Sequence, residues 1–356
     1  MKKQHKKGKK ILSVILSAAV FATAFFGLQR LVEPKYADDI LEGAFIREYY
    51  DDQTPHDVIM VGDCEVYENF SPVELWRDYG ITSYIRGSAQ QLIWQSYYLL
   101  EDTLRYEKPK VVIYNVQSLV HNEPQREEYN RMTLDGMRWS SSKVQSIRAS
   151  MTEDEQFLDY VFPILRYHDR ITQLKKNDFN YYFKHRKITH NGYYMRVDQY
   201  PFEEPLEEEE PEDYTFGDNA MSYLDRMTAL CKKEGIQLVL VKAPSLSPVW
   251  YDEYEEQVKD YAKENDLLYI NYLELADELG IDYETDTYDG GLHMNLYGAE
   301  KLSRHLGSVL QSTCGLEDHR DDPELSAAWE RKEQFYDQMI SDQKKELQKY
   351  GEIVNY

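Results

Sequence analysis

The chain has 356 residues, 42% of them hydrophobic, and a formal net charge of −23 at pH 7. Its first ten residues, "MKKQHKKGKK", contain six of the lysines and no acid, so the rest of the chain is strongly acidic. An acidic body repels nucleic acid, which argues against nucleic acid as a partner, and the length is enough to bury one large core or two smaller ones.

The first predicted element is a membrane anchor. Residues 11–29, "ILSVILSAAVFATAFFGLQ", carry no charge and would form about 28 Å of helix, enough to cross a hydrocarbon core. Lysines before this run and acids after it predict a cytoplasmic N-terminus and an extracytoplasmic body in a single-pass cell-membrane protein. A signal peptide cleaved after Ala24 is the alternative, but Phe25 and Phe26 continue the apolar run and favour an uncleaved anchor.

The boundaries follow from this. We predict a cytoplasmic basic tail (1–10), a transmembrane signal anchor (11–30) and a juxtamembrane linker with a short helix (31–54).

An α/β alternation then begins. Five apolar runs are typical of strands covered on both faces, and amphipathic helical stretches separate them. This pattern predicts an α/β protein with one parallel sheet between two layers of helices. The predicted strands are "DVIMVG" (57–62), "ITSYIR" (81–86), "KVVIYN" (110–115), "IQLVLVK" (236–242) and "LLYINY" (267–272).

Two regions interrupt or follow this alternation. Residues 119–215 are too long for one crossover, and we predict a mainly helical insertion that ends in the acidic linker "EEPLEEEEPED" and could cap one edge of the sheet. Residues 316–356 form a charged helical tail, either a partner contact or plain surface.

The chain has three cysteines, Cys64, Cys231 and Cys314. This number is small and odd, which argues against a disulfide framework in an exported domain. Cys231 has helical spacing with apolar neighbours, which indicates core packing. A bridge between Cys231 and Cys314 stays open as an alternative, and neither residue has metal-ligand spacing around it.

Polar residues collect where the predicted strands end. In an open parallel sheet, sites lie beyond the carboxyl ends of the strands, so residues at those ends share one edge. The candidates there are Asp63, Cys64, Arg86, Gly87, Ser88, Asn115 and Lys242, followed by Asp286, Asp289 and His293 ahead of the last helix of the alternation.

These residue types fit nucleophilic catalysis. A thiol at a helix start beside an imidazole favours the thiolate, and His293 would take and return its proton. Asp289 would orient the imidazole, while the backbone N–H groups of Cys64 and Gly87 and the Asn115 amide would stabilise an oxyanion. Each candidate also has a plainer explanation, since a cysteine after a strand is usually a small buried apolar residue.

Three further residues are candidate substrate contacts. Arg86, Ser88 and Lys242 also follow strands, and a cation facing the cleft would favour a thiolate or an anionic polymer. The alternative for Arg86 and Lys242 is a long side chain that covers surface and keeps its charge in water.

Four segments, "VGDCEVY", "YIRGSAQQ", "YNVQS" and "DGGLHMNLYGAEK", resemble the four blocks of the SGNH/GDSL hydrolase superfamily. The membrane-anchored group with Dlt-type D-alanylation proteins and polysaccharide O-acetyltransferases is the most similar. The resemblance implies an SGNH-like catalytic domain over 55–118 and 216–315, with a flavodoxin-like α/β/α sandwich. It also implies a Ser-His-Asp acyl-ester mechanism without a metal or cofactor.

The chain departs from that pattern in three places. Cys64 replaces the nucleophilic serine, which keeps the role but makes the acyl adduct a reactive thioester. Glu65 replaces a residue that is usually apolar. The family aspartate lies three residues before the histidine, where this chain has Gly290, so Asp289 is the predicted acid and Asp286 the alternative.

The sequence therefore predicts a membrane-tethered acyl-ester enzyme. Its partners would be an acyl donor and an envelope glycan or teichoic-acid-like polymer, with a membrane-bound O-acyltransferase as a further partner. A simple esterase or deacetylase is the near alternative, and a non-catalytic glycan-binding or scaffold protein is the distant one.

Overall fold

A computed structural model of the chain describes residues 2–34, 42–180, 187–202 and 210–354, which form two compact units. The first unit combines Met1–Ile40 with Glu153–Arg186, and the second combines Leu41–Thr152 with Lys187–Tyr356. Residues 35–41 of the predicted juxtamembrane segment and residues 203–209 of the predicted acidic linker lie outside the described residues.

The second unit contains one five-stranded parallel sheet in the order β2-β1-β3-β4-β5. The predicted sheet is confirmed, and each strand end agrees within two residues, because unbroken β-branched runs suit strands that are buried on both faces. The strands are Val58–Gly62 (β1), Ser83–Gly87 (β2), Val111–Asn115 (β3), Gln237–Lys242 (β4) and Leu268–Asn271 (β5).

Helices cover both faces, which completes the predicted three-layer sandwich. On one face, Ile59, Val112 and Leu240 pack in a single apolar core with Ile93–Thr103 (α5), Asp218–Glu234 (α11) and Asp252–Asn265 (α12). The other helices of this unit are Glu42–Glu48 (α2), Cys64–Tyr67 (α3), Pro72–Tyr79 (α4), Glu127–Leu134 (α6), Ser141–Ser150 (α7), Leu296–Ser312 (α13) and Pro323–Tyr350 (α14).

The predicted charged tail is an integral part of this unit. Helix α14 begins after the Asp322 cap and packs along α4, where the Trp329 ring stacks on the Trp76 ring with 5.1 Å between centroids. Trp329 and Tyr336 are fully buried. Burial of large aromatic side chains stabilises the docked helix. The charged residues of this segment therefore belong to the outer face of α14.

The predicted insertion divides between the two units. Residues 119–152 and 187–215 belong to the unit with the sheet, and part of them covers its β2 edge: Ile85 N–H donates to the Asn191 carbonyl at 2.9 Å. Gly192 has φ +87°, and a Cβ there would lie 2.0 Å from the Ile85 carbonyl oxygen. Glycine is therefore needed for the backbone to approach this edge.

The first unit consists of a long helix and several short ones. Its N-terminal helix, Lys2–Val32 (α1), includes a 26-residue stretch long and apolar enough to span a membrane. Phe157–Val161 (α8) packs on Ile164–Tyr167 (α9), and α9, a 3-10 turn at His168–Thr172 and Lys176–Asn180 (α10) pack against α1.

Candidate active site

Cys64 lies on a tight turn between β1 and α3. Gly62 ends the strand with φ +152°, and a Cβ there would lie 2.5 Å from Val66 Cγ2. Asp63 then caps α3, since its carboxylate accepts the Glu65 N–H at 3.1 Å. The turn presents Cys64, the first residue of α3, at the carboxyl edge of the sheet with a partly exposed side chain.

His293 lies in the loop before α13 and is paired with Asp289. The Asp289 carboxylate accepts from His293 Nδ1 at 2.6 Å and from the His293 backbone N–H at 2.8 Å. Gly290 and Gly291 have φ +76° and +91°, left-handed conformations that let the loop fold Asp289 back onto the imidazole. The four-residue spacing is thus compatible with an acid–histidine pair.

The loop also meets the segment that follows α3. The Met294 backbone N–H donates to the Oδ1 atom of the fully buried Asn69 at 2.7 Å. Asn295 caps α13 by accepting the Tyr297 N–H at 3.0 Å, which fixes where the helix begins.

The Cys64 thiol and the His293 imidazole lie close enough that each shifts the pKa of the other. Because Nδ1 is held by Asp289, Nε2 is the ring nitrogen that can exchange a proton with the sulfur. The structure therefore places Asp289 on His293 and His293 near Cys64, while the catalytic role of the three residues stays a prediction.

Sequence reasoning missed Glu68 and Tyr288. A Glu68 carboxylate oxygen lies 3.6 Å from His293 Nδ1, and the Tyr288 hydroxyl donates to the same carboxylate. The Tyr288 ring stacks beside the imidazole, with 6.3 Å between centroids. Glu68 is four residues after Cys64, and a helix starting at Cys64 would place both on one face, so the signal was present.

Two carboxylates change the acid–base properties of the imidazole. Burial lowers the pKa of His293, but the charges of Glu68 and of a Cys64 thiolate, together with the Asp289 hydrogen bond, outweigh it and raise the pKa well above its usual value. The imidazolium form is therefore stabilised, and a neutral imidazole that can act as a base becomes more abundant as the pH rises.

The thiol differs from the sequence prediction. Burial raises the pKa of Cys64 to about 11, with His293 opposing this and Asp63 and Glu68 adding to it. The expectation that the helix start makes Cys64 an easily formed thiolate is thus contradicted: α3 has only four residues, and nearby carboxylates disfavour a second negative charge.

Asn115 and Lys242 belong to a buried network behind the nucleophile, which corrects two predictions. The Asn115 amide nitrogen donates to Asp63 at 3.2 Å and to Glu65 at 3.0 Å, so its hydrogens are not free for an oxyanion. Lys242 is fully buried, and its ammonium donates to both Glu65 oxygens at 3.0 Å, so it is neither a surface residue nor a substrate contact. Burial and the Glu65 charge raise the pKa of Asp63 to about 7.

Arg86 and Ser88 are also fully buried, against the prediction that they contact substrate. The Arg86 guanidinium is fully buried and donates to Asp102 at 3.2 Å and to the Tyr50 hydroxyl at 2.9 Å. The fully buried Ser88 hydroxyl bonds to Gln91 and Thr133.

Gly87 ends β2 beside the nucleophile turn. A Cβ there would lie 3.1 Å from the Gly62 carbonyl oxygen, so a glycine suits this close approach of the two strand ends. The proposed oxyanion role of the Gly87 and Cys64 N–H groups stays a prediction.

Asp286, the alternative acid, has other partners. Its carboxylate accepts from Lys301 Nζ at 2.6 Å and from the Asp282 N–H at 2.8 Å, and the residue is buried. Asp289 is the acid that contacts the histidine.

The same edge offers a set of donors for a cation. One atom each from Glu68, Asp289 and His293 lies within 4.8 Å of the others. Two carboxylates and an imidazole are suitable ligands for a divalent ion. Such an ion would compete with the proton on His293 Nδ1.

No protein-family model and no curated protein matches the chain. Among solved structures it is similar to a protein assigned to the lipolytic G-D-S-L family from Desulfitobacterium hafniense DCB-2, at 14% identity and TM-score 0.37, over 71% of this chain and 98% of the other. It is also similar to a protein assigned as an acylhydrolase from Bacteroides fragilis NCTC 9343, at 11% identity and TM-score 0.37, over 79% of this chain and 100% of the other. A third similar structure is that of a GDSL-like lipase from Bacteroides thetaiotaomicron VPI-5482, at 11% identity and TM-score 0.35, over 76% of this chain and 98% of the other.

Proposed function

We propose that the chain is a membrane-tethered, extracytoplasmic SGNH-like enzyme that transfers an acyl group to a hydroxyl of a cell-envelope polysaccharide or teichoic-acid-like polymer. The observation that carries this is the hydrogen-bonded His293–Asp289 pair, whose imidazole lies close enough to the Cys64 thiol to lower the pKa of the thiol. The apolar length of α1 supports the tether.

The acylation step uses three groups. The Cys64 sulfur attacks the acyl carbonyl carbon and forms the S–C bond, while the thiol proton passes to His293 Nε2. The tetrahedral intermediate collapses, the bond to the leaving oxygen breaks, and that oxygen takes the proton from the imidazolium. Asp289 holds the imidazole in position and stabilises its charged form throughout.

The second step determines the class of reaction. A hydroxyl of the acceptor, or water, gives its proton to His293 and attacks the thioester carbon, and the departing sulfur regains a proton. A thioester transfers its acyl group readily, so a glycan hydroxyl bound nearby would compete with water. Transfer is favoured here because a tethered enzyme meets envelope polymers; hydrolysis by an esterase or deacetylase is the alternative.

The test is the intact mass of the full-length protein after incubation with an aryl acetate. We expect a hydroxylamine-sensitive acetyl adduct on Cys64, absent in Cys64→Ala and reduced in His293→Ala. Cys64→Ser is the matched control, because an ester adduct on serine resists hydroxylamine better than a thioester.

Two further outcomes separate the alternatives. Adduct that decays faster with added envelope glycan, with acetylated glycan appearing, supports transfer; decay that is indifferent to glycan supports hydrolysis. A protein that forms no adduct from neutral to alkaline pH is not a covalent catalyst, and the scaffold alternative would then stand.

A further inference from the structure

The end of helix α1 is half covered by protein. Gln29 and Val32 are only 8% and 1% exposed, and Phe25, on the same helical face, is partly buried. Phe26, on another face, is 55% exposed, and Phe21, one turn before Phe25 on the same face, is 72% exposed, so the cover begins near Phe25. The last two turns of α1 therefore have one face against protein and the rest open.

The covering segment is Phe157–Asn180, here called the collar. The Phe162 ring meets the Phe25 ring edge to face, with 6.1 Å between centroids. The Arg170 guanidinium donates to the Val32 carbonyl at 2.8 Å and to Asp178 at 3.2 Å. A cation on the last carbonyls of a helix satisfies their unpaired acceptors and its dipole, so the collar is fixed to this helix end.

The collar exposes several large apolar side chains. Four large side chains are each more than half exposed: Leu158, Leu165, Ile171 and Phe179. Between them lie exposed basic side chains, Arg166, Lys175 and Lys176, against one exposed acid, Asp169, in a chain whose net charge is −23. Exposed apolar residues interspersed with basic ones are typical of helices that lie in a membrane interface.

The collar also contacts α1 at the level where the hydrocarbon core of a membrane would end. If the hydrocarbon core begins after Lys10, about 30 Å of core at 1.5 Å per residue ends near residue 30. The collar contacts α1 between Phe25 and Val32, which is the outer boundary of that core.

We propose that the collar is an interfacial membrane-binding element, with its exposed apolar side chains among the outer acyl chains and its basic side chains against lipid phosphates. This inference rests on the membrane tether of the proposed function. The occupant is a lipid surface because the collar is fixed to the end of a helix with the length of a membrane span.

The test measures lipid contact by spin labels in the full-length chain, reconstituted into vesicles of phosphatidylcholine and phosphatidylglycerol. A Cys64→Ala background leaves only the buried Cys231 and Cys314. Labels are placed at Leu165→Cys and Phe179→Cys in the collar, at Leu16→Cys in α1, and at the exposed Tyr350→Cys as the water reference. Collision rates with oxygen and with a water-soluble nickel chelate are compared.

We expect the oxygen-to-nickel ratio at both collar positions to exceed that at Tyr350→Cys by about threefold or more, as for a group below the headgroups. A lipid signal at Leu16→Cys with water signals in the collar would overturn the collar proposal and leave the anchor intact. A water signal at Leu16→Cys would instead remove the tether itself. Spin–spin broadening in the collar that disappears on dilution with unlabelled protein would assign the face to a second copy and also overturn the proposal.

Discussion

Two buried charged clusters meet at the turn after β1, and they are balanced in opposite ways. In the supporting cluster, the Glu65 carboxylate is matched by the Lys242 ammonium and the Asn115 amide. In the active cluster, Glu68 and Asp289 share a single imidazole, beside a sulfur that is partly exposed.

The difference distinguishes a cluster that holds the turn in place from one whose groups can exchange protons. The supporting cluster pairs Glu65 with a cation and fixes the turn, and burial with the Glu65 charge raises the pKa of Asp63 beside it to about 7. In the active cluster burial raises the pKa of Cys64 and the charge of Glu68 adds to it, while at His293 the charge of Glu68 and the Asp289 hydrogen bond outweigh burial and raise the pKa. Groups with displaced pKa values are the ones able to move protons.

The largest effect is expected from breaking the active cluster. Asp289→Asn or His293→Ala should slow acetylation of Cys64 by about 100-fold or more, because general-base catalysis contributes about 10²–10⁴-fold. Stopped-flow release of the aryl leaving group measures this. Equal rates in His293→Ala and wild type would show that the imidazole takes no part.

Breaking the supporting cluster should cost stability. Lys242→Met leaves Glu65 buried without its cation, and we expect a loss of about 3 kcal/mol in the free energy of unfolding. Thermal unfolding of the full chain in detergent measures it. Adding Glu65→Leu should restore most of the loss, and a double variant no more stable than Lys242→Met would contradict the pairing argument.

Neutralising one carboxylate should shift the pH dependence. Activity of the wild type should rise with pH as the imidazolium, whose pKa is raised, loses its proton. In Glu68→Gln the pKa values of His293 and Cys64 both fall, so the same rise should occur about one unit lower in pH.

The control for this shift is Glu330→Gln, which removes an exposed carboxylate from α14. Iodoacetamide alkylation of Cys64 against pH gives the profile without a substrate. An unchanged profile in Glu68→Gln would show that the charge of Glu68 does not reach the imidazole.

The smallest effect is expected at Asp286. Its carboxylate is bonded to Lys301, so Asp286→Asn should change the rate of acetylation by less than about twofold. A loss as large as that of Asp289→Asn would transfer the orienting role to Asp286.

The sequence predicted the sheet and the meeting of Cys64 with His293 because parallel strands place their carboxyl ends on one edge. It did not predict the burial of Arg86 and Lys242, whose carboxylate partners Asp102 and Glu65 are distant in sequence and have no local signature. For the same reason the sequence predicted an oxyanion-hole role for Asn115, whose amide instead bonds to Asp63 and Glu65.

The pKa of the thiol was mispredicted for a different reason. A helix start suggests a stabilised anion, but the length of α3 and the number of neighbouring carboxylates emerge only when the loops are folded.

Asp289 and His293 belong to one short glycine-containing loop, so acid and base are carried by the same piece of backbone. Any movement of that loop displaces both together and preserves their mutual alignment. The distance that the fold has to set is the one between this loop and the segment that carries Cys64. The hydrogen bond from the Met294 N–H to Asn69, just after α3, joins the two segments. Asn69 thereby sets the spacing between the Cys64 sulfur and the His293 imidazole. A substitution at Asn69 could change this spacing during evolution without altering either catalytic segment.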